Sequence, residues 1–205
     1  GKNFSAGADL KWMKSGISQS DDQLRAESYE LALLFNKIMH CNSITICALK
    51  GKVIGGANGI AAASDIVIAT TNTSFAFTEV KLGLIPATIA PYVYRKSKER
   101  SMEWMLTGRT ISADEALAGG IINHIVDENS LESTSDAILK MILSNGPKAL
   151  SGVKNLFLSG LIEKHPDDTI KQTSGLIADF RTSSEGLEGL TSFFEKRKPS
   201  WMNEN

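Results

Sequence analysis

Glu79 is the residue whose setting best suits proton transfer. It follows Phe75-Ala76-Phe77-Thr78 and precedes Val80-Lys81-Leu82-Gly83-Leu84-Ile85-Pro86. A carboxylate among apolar neighbours loses solvation, which favours its neutral form and moves proton exchange toward neutral pH. A surface glutamate at a strand end, paired with Lys81, would look the same in sequence. Gly55-Gly56 stands between an apolar, β-rich run and a helix of small residues. Two glycines there let the backbone approach a ligand closely, and N–H groups at a helix start lack intrahelical acceptors. Such donors suit an oxygen that gains negative charge. Gly7-Ala8-Asp9 is a second loop-to-helix turn of the same type. One N–H from each turn could clamp a single carbonyl oxygen; both turns could equally serve packing alone.

The elements that must hold these residues follow from periodicity and punctuation. Asp9 can cap a short helix ended by Gly16, and Ser18 to Gln23 reads as a loop. Leu24, Leu31, Leu34, Phe35 and Ile38 recur at helical spacing. Ile44 to Leu49 is uniformly apolar, as buried strands are. Ala57 to Ser64 reads as a close-packing helix, Asp65 to Ala69 as a second strand and Phe75-Ala76-Phe77 as extended. Strand, glycine turn, helix and strand in that order imply a parallel sheet. A helix at Glu99 to Leu106 is stopped by Gly108, and Ser112-Ala113-Asp114-Glu115 is a capping box. Ile121 to Val126 is the last strand expected. Helices then fill roughly 130–144, 147–160, 166–181 and 184–197. The expected organisation is an α/β core over 1–127 and a helical C-terminal region over 128–205.

Composition narrows the class without naming a function. The 205 residues include 42% hydrophobic and 22% charged positions, ordinary for a globular chain. Twenty-two basic and 23 acidic residues leave a net charge of −1, which gives no reason to expect a nucleic acid or membrane partner. Cys41 and Cys47 form neither a disulfide framework nor a metal pattern, and His40, His124 and His165 are scattered, so no metal is expected. The most apolar stretch, Val53 to Ala69, is broken by Asn58 and Asp65. With no leader pattern, the location expected is cytoplasmic, or the mitochondrial matrix in a eukaryote.

Three ordered motifs together resemble the crotonase (enoyl-CoA hydratase/isomerase) superfamily. Phe4-Ser5-Ala6-Gly7-Ala8-Asp9-Leu10 is similar to its first signature. Gly55-Gly56-Ala57-Asn58-Gly59-Ile60-Ala61-Ala62-Ala63-Ser64-Asp65 is similar to its glycine-rich second signature, and Phe75 to Pro86 to the segment carrying a catalytic glutamate. The blocks Leu106 to Val126 and Phe194 to Trp201 extend the likeness along the chain. The resemblance implies a crotonase-like fold, a spiral of ββα units with a helical trimerisation region. It implies that the N–H groups of Ala8 and Gly56 form an oxyanion hole and that Glu79 is the acid/base. It also implies that Ala6, Gly7, Asp9, Leu10, Gly55 and Gly59 serve the acyl-CoA site, with Phe194 reaching the CoA of a neighbouring subunit. The partner implied is an acyl-CoA thioester, with CoA as part of the substrate and no separate cofactor, in a homotrimer or dimer of trimers.

Two departures shape the expectation. Gly59 stands where many hydratases of the family carry a second glutamate. A single glutamate fits methylglutaconyl-CoA hydratase-like members, whose Ala-Asp-Leu-x-Trp-Met and Leu-Gly-Leu-Ile-Pro-Ala motifs resemble Ala8 to Met13 and Leu82 to Ala87. It also fits the enoyl-CoA isomerases. The sequence opens directly on the first signature, without the strands and helix that precede it in the family. The expectation is therefore an enoyl-CoA hydratase adding water to a 2-enoyl-CoA. A single-glutamate isomerase and a CoA-binding fragment without turnover are the alternatives.

Overall fold

The computed structural model describes residues 1–202, excepting the side chain of Leu10. Its strands divide between two small sheets. β1 (Ile46–Leu49), β3 (Ile66–Thr70) and β6 (His124–Val126) form one in the order β1-β3-β6, all parallel. β2 (Lys52–Ile54), β4 (Ser74–Ala76) and β5 (Thr110–Ser112) form the other, with β4 parallel to β2 and antiparallel to β5. β1 to β4 alternate between the two sheets, β5 stays beside β4, and β6 returns to the first sheet; the alternation is how a βαβ-like pattern yields a spiral of ββα units. β2 and β5 escape the sequence reading because β2 lies between the turn signals Gly51 and Gly55, and β5 runs directly into the Ser112 capping box. The strand expected over Ile121 to Val126 shortens to its last three residues; Ile121 and Ile122 are buried in the preceding turn.

Helices α1 (Leu10–Gly16), α2 (Asp21–Met39) and α3 (Ala57–Ala63) come first. Asp9 caps α1 by accepting from the N–H of Lys11 at 2.7 Å and of Trp12 at 3.1 Å. α2 begins inside the expected loop, because Ser20 and Gln23 form a reciprocal capping box. α4 (Ala90–Lys96), α5 (Ser101–Thr107) and α6 (Ala113–Ala118) follow, and Gly108 ends α5 in the left-handed conformation. The core gathers Phe35 from α2, Leu49, Val53, Val67 and Phe75 from the strands, and Ala61 to Ala63 from α3. Those alanines let α3 lie close against its neighbours.

The chain divides into two compact units, residues 1–41 with 45–135 and residues 42–44 with 136–205. The expected division at 127/128 thus lies a few residues before the one between the units, which falls inside α7 (Leu131–Leu143). In the second unit α8 (Pro147–Leu158) is capped by Glu185, whose carboxylate accepts from the N–H groups of Lys148 and Ala149. α9 (Pro166–Thr182) and α10 (Ser184–Phe194) complete it. α10 stops short of the expected residue 197 because Lys196 turns left-handed (φ 54°), while Arg197 folds back onto Glu188 and Glu195.

Candidate active site

Three parallel segments deliver the candidate residues to one edge. Ser5 forms a parallel bridge with Val53. Its N–H donates to the carbonyl of Lys52 at 2.9 Å, and its carbonyl accepts from Ile54 N–H at 3.2 Å. Ala8 lies three residues beyond Ser5, and Gly56 three beyond Val53. Equal offsets in a parallel register bring both turns out at the same end. The contact shows in the glycine itself: a Cβ on Gly7 would lie 3.5 Å from Ile54 Cγ2. β4 runs parallel on the far side of β2, with Ile54 opposite Ala76. Glu79 lies three residues beyond Ala76, in a 3-10 turn over Glu79–Leu82. Ala8, Gly56 and Glu79 therefore share the carboxyl ends of adjacent parallel segments, where ligands of α/β folds bind.

The N–H groups of Ala8 and Gly56 donate to no group among the described residues. Gly56 is the N-cap of α3, where an unpaired N–H is the rule. Gly55 holds φ +61°, a conformation glycine adopts without strain. A Cβ built on Gly55 would stand 3.6 Å from Glu79 Oε1, so the glutamate carboxyl faces this turn. The other carboxyl oxygen, Oε2, is buried without a partner. Burial holds the Glu79 carboxyl above the usual carboxylate range, opposed in part by a hydrogen bond with its own backbone. No charged neighbour figures among the causes. A raised carboxyl beside two unpaired N–H donors can exchange a proton with a molecule whose carbonyl oxygen those donors hold.

Gly59 lies on the buried side of α3, not among these groups. A Cβ there would come within 2.5 Å of Ile89 Cγ2 and 2.7 Å of Phe35 Cε1. Both neighbours are almost wholly buried. No side chain fits without displacing them, so position 59 has no room for a second carboxylate beside Glu79. Gly59→Ala is expected to cost about 1–3 kcal/mol through overpacking. Urea unfolding checks this, and an unchanged midpoint would contradict the packing.

Ala6, Ala8 and Asp9 are exposed beside the first turn. The side chain of Leu10 lies outside the described residues. Phe194 belongs to the second unit, where it is 77% exposed and edge-on to Phe193 at 5.6 Å. A cavity of about 1350 Å³ also lies in that unit, lined by Leu156, Leu161, Leu176 and Phe180. It has no counterpart of the Glu79 arrangement. Among the described residues no group of three or more His, Cys, Asp or Glu could hold a metal, and no helix is long and apolar enough to cross a membrane. The residue sequence reasoning undervalued is Asn58, visible only as a polar break in an apolar stretch. It is fully buried, and its side-chain amide donates to the carbonyls of Gly55 and Ala76.

The sequence model of the enoyl-CoA hydratase/isomerase family matches residues 1–204. A Thermus thermophilus protein provisionally assigned as an enoyl-CoA hydratase is 30% identical over 200 residues, 97% of this chain and 79% of that one. A carnitinyl-CoA dehydratase from Salmonella agona is 29% identical over 205 residues, 98% of this chain and 77% of that one. The crystal structure of an enoyl-CoA hydratase from Shewanella pealeana superposes with a TM-score of 0.93 at 42% identity. It covers 98% of this chain and 76% of that one.

Proposed function

The chain belongs to the enoyl-CoA hydratase/isomerase family, and on that premise we propose that it hydrates 2-enoyl-CoA thioesters with Glu79 as its single acid/base. The observation that carries the reading is the shared edge on which Ala8, Gly56 and Glu79 emerge. The N–H groups of Ala8 and Gly56 hold the thioester oxygen. Glu79 takes a proton from water as the water oxygen bonds to C3. The C2=C3 electrons move toward the carbonyl, giving an enolate whose oxygen the two donors stabilise. The enolate then takes the proton from Glu79 at C2, and the carboxylate is restored. One carboxylate serving both steps adds hydrogen and hydroxyl to the same face.

Loss of the conjugated chromophore of crotonyl-CoA tests the activity. Proton NMR of product made in heavy water tests the geometry: addition to one face is expected, and addition to opposite faces would rule out a single carboxylate. The ratio of rates on crotonyl-CoA and 3-methylglutaconyl-CoA tests the methylglutaconyl-type substrate. Because burial raises the Glu79 carboxyl, the acid limb of kcat/KM is expected above the ordinary carboxylate range. A limb at about 4.3, the value of a free glutamate, would show that a solvated group is titrating.

The packing of Phe35 and Ile89 over Gly59 also favours a second reading. A lone carboxylate suits isomerisation, in which one proton leaves C2 of a 3-enoyl-CoA and returns at C4. Conjugation appearing from a 3-enoyl-CoA, with crotonyl-CoA untouched, would select it. Self-association as a trimer or dimer of trimers goes with either reading, supported by Ile170, Ile177, Phe193 and Phe194 exposed on α9 and α10. Sedimentation of the chain as a monomer would remove it.

A further inference from the structure

We propose that Asn58 is a positioning residue that aims the Gly56 N–H at the thioester oxygen. The inference rests on the reading of Gly56 as an oxyanion donor. The Asn58 side-chain nitrogen donates to the Gly55 carbonyl at 2.9 Å and to the Ala76 carbonyl at 3.0 Å. Both partners are acceptors, which sets the amide orientation: nitrogen toward them, oxygen away. The Gly55 carbonyl also accepts from Asn58 N–H at 2.9 Å, and the Ala76 carbonyl from Gly55 N–H at 3.1 Å.

The Gly55 carbonyl and the Gly56 N–H belong to one peptide group. That group is planar and trans, so its C=O and N–H point in opposite directions. Pulling the carbonyl inward toward Asn58 therefore turns the N–H outward, where it meets no acceptor among the described residues. Glycine at 55 has little conformational stiffness of its own, so this peptide plane needs an external hold. The same amide ties the turn to Ala76, three residues before Glu79, and so sets donor and carboxylate against one frame. The Asn58 side-chain oxygen is buried without a partner. An apolar residue in its place would carry no such orphan, so packing alone does not account for an asparagine here.

The test is Asn58→Ala, with Asn58→Ser beside it. Each carbonyl keeps one backbone donor in both, so folding is expected to persist. Turnover is expected to fall by about 10-fold to 100-fold with KM within about twofold, since the donor is misaimed but the CoA contacts remain. Butyryl-CoA, labelled with heavy carbon at its thioester carbonyl, separates this result from failure of the functional reading, because it reports donor contact without turnover. Its infrared carbonyl stretch is expected to lie at lower frequency on the wild-type protein than on Asn58→Ala, with Asn58→Ser between them. An identical stretch on all three, unchanged kcat, or loss of folding in both variants would overturn the proposal.

Discussion

Glu79→Gln is expected to lower turnover of a 2-enoyl-CoA by about 10²- to 10⁴-fold, the range spanned by positioned acid–base groups. Shape and apolar contacts of the side chain survive the change, so CoA affinity should stay near that of the wild-type protein. Turnover that survives would remove Glu79 from its role whatever the family. The same variant carries a second, opposite signature in stability. The folded-state carboxyl titrates above its unfolded value because burial disfavours the charge. Between those two values the folded protein binds more protons than the unfolded one, so stability falls as pH rises through that window. Glutamine has no such charge. The melting temperature of Glu79→Gln relative to wild type should therefore rise with pH across the window and change little below it. Paired melts from acid to neutral pH measure the effect. A relative melting temperature that falls as pH rises would mean that the ionised carboxylate is stabilised in the fold.

Gly56→Pro is expected to cost about 10²- to 10³-fold in kcat, as deletion of one oxyanion donor does. The backbone at this position permits the substitution. Gly56 has φ −54° and ψ −23° at the start of α3, close to the φ that proline imposes, at a helix position where its missing N–H is tolerated. The change deletes the donor and sets the ring Cδ where the N–H hydrogen stood. Gly56→Ala is the control. Its Cβ would meet Phe35 Cζ at 3.9 Å, an ordinary contact, and it keeps the N–H. Near-normal turnover in Gly56→Ala beside a collapse in Gly56→Pro would assign the effect to the amide N–H position and not to a Cβ at the turn. Equal losses in the two would assign it to bulk at the turn, and Gly56 would lose its place as a donor. Circular dichroism and CoA binding on both variants keep folding out of the comparison.

Much of the local structure was legible in the residues. Asp9, Ser112 and Gly108 each act within a turn of themselves, so the caps of α1 and α6 and the end of α5 appear where their side chains and backbones predict. Ser20 is just as local, yet the polar residues around it resemble a loop, and only its reciprocal pairing with Gln23 makes them a helix start. The C-terminal helices were visible from periodicity, except where Lys196 turned left-handed. β2 and β5 are hidden in sequence, because turn glycines flank the one and a helix cap follows the other, and pairing with β4 defines both.

The candidate site divides along the same line. Residue identity sets the chemical types: a glutamate in apolar surroundings, glycine-bearing turns at two helix starts, and the order of motifs shared with the family. Those properties depend on residue identity and near neighbours. Folding in three dimensions is what brings Ala8, Gly56 and Glu79 to one edge, fills the space over Gly59 with Phe35 and Ile89, and lets Asn58 grip the Gly55 peptide. Each of these joins residues that lie far apart in the chain or orients a peptide plane. Parallel register and close packing set such relations, and no local pattern of residue types encodes them.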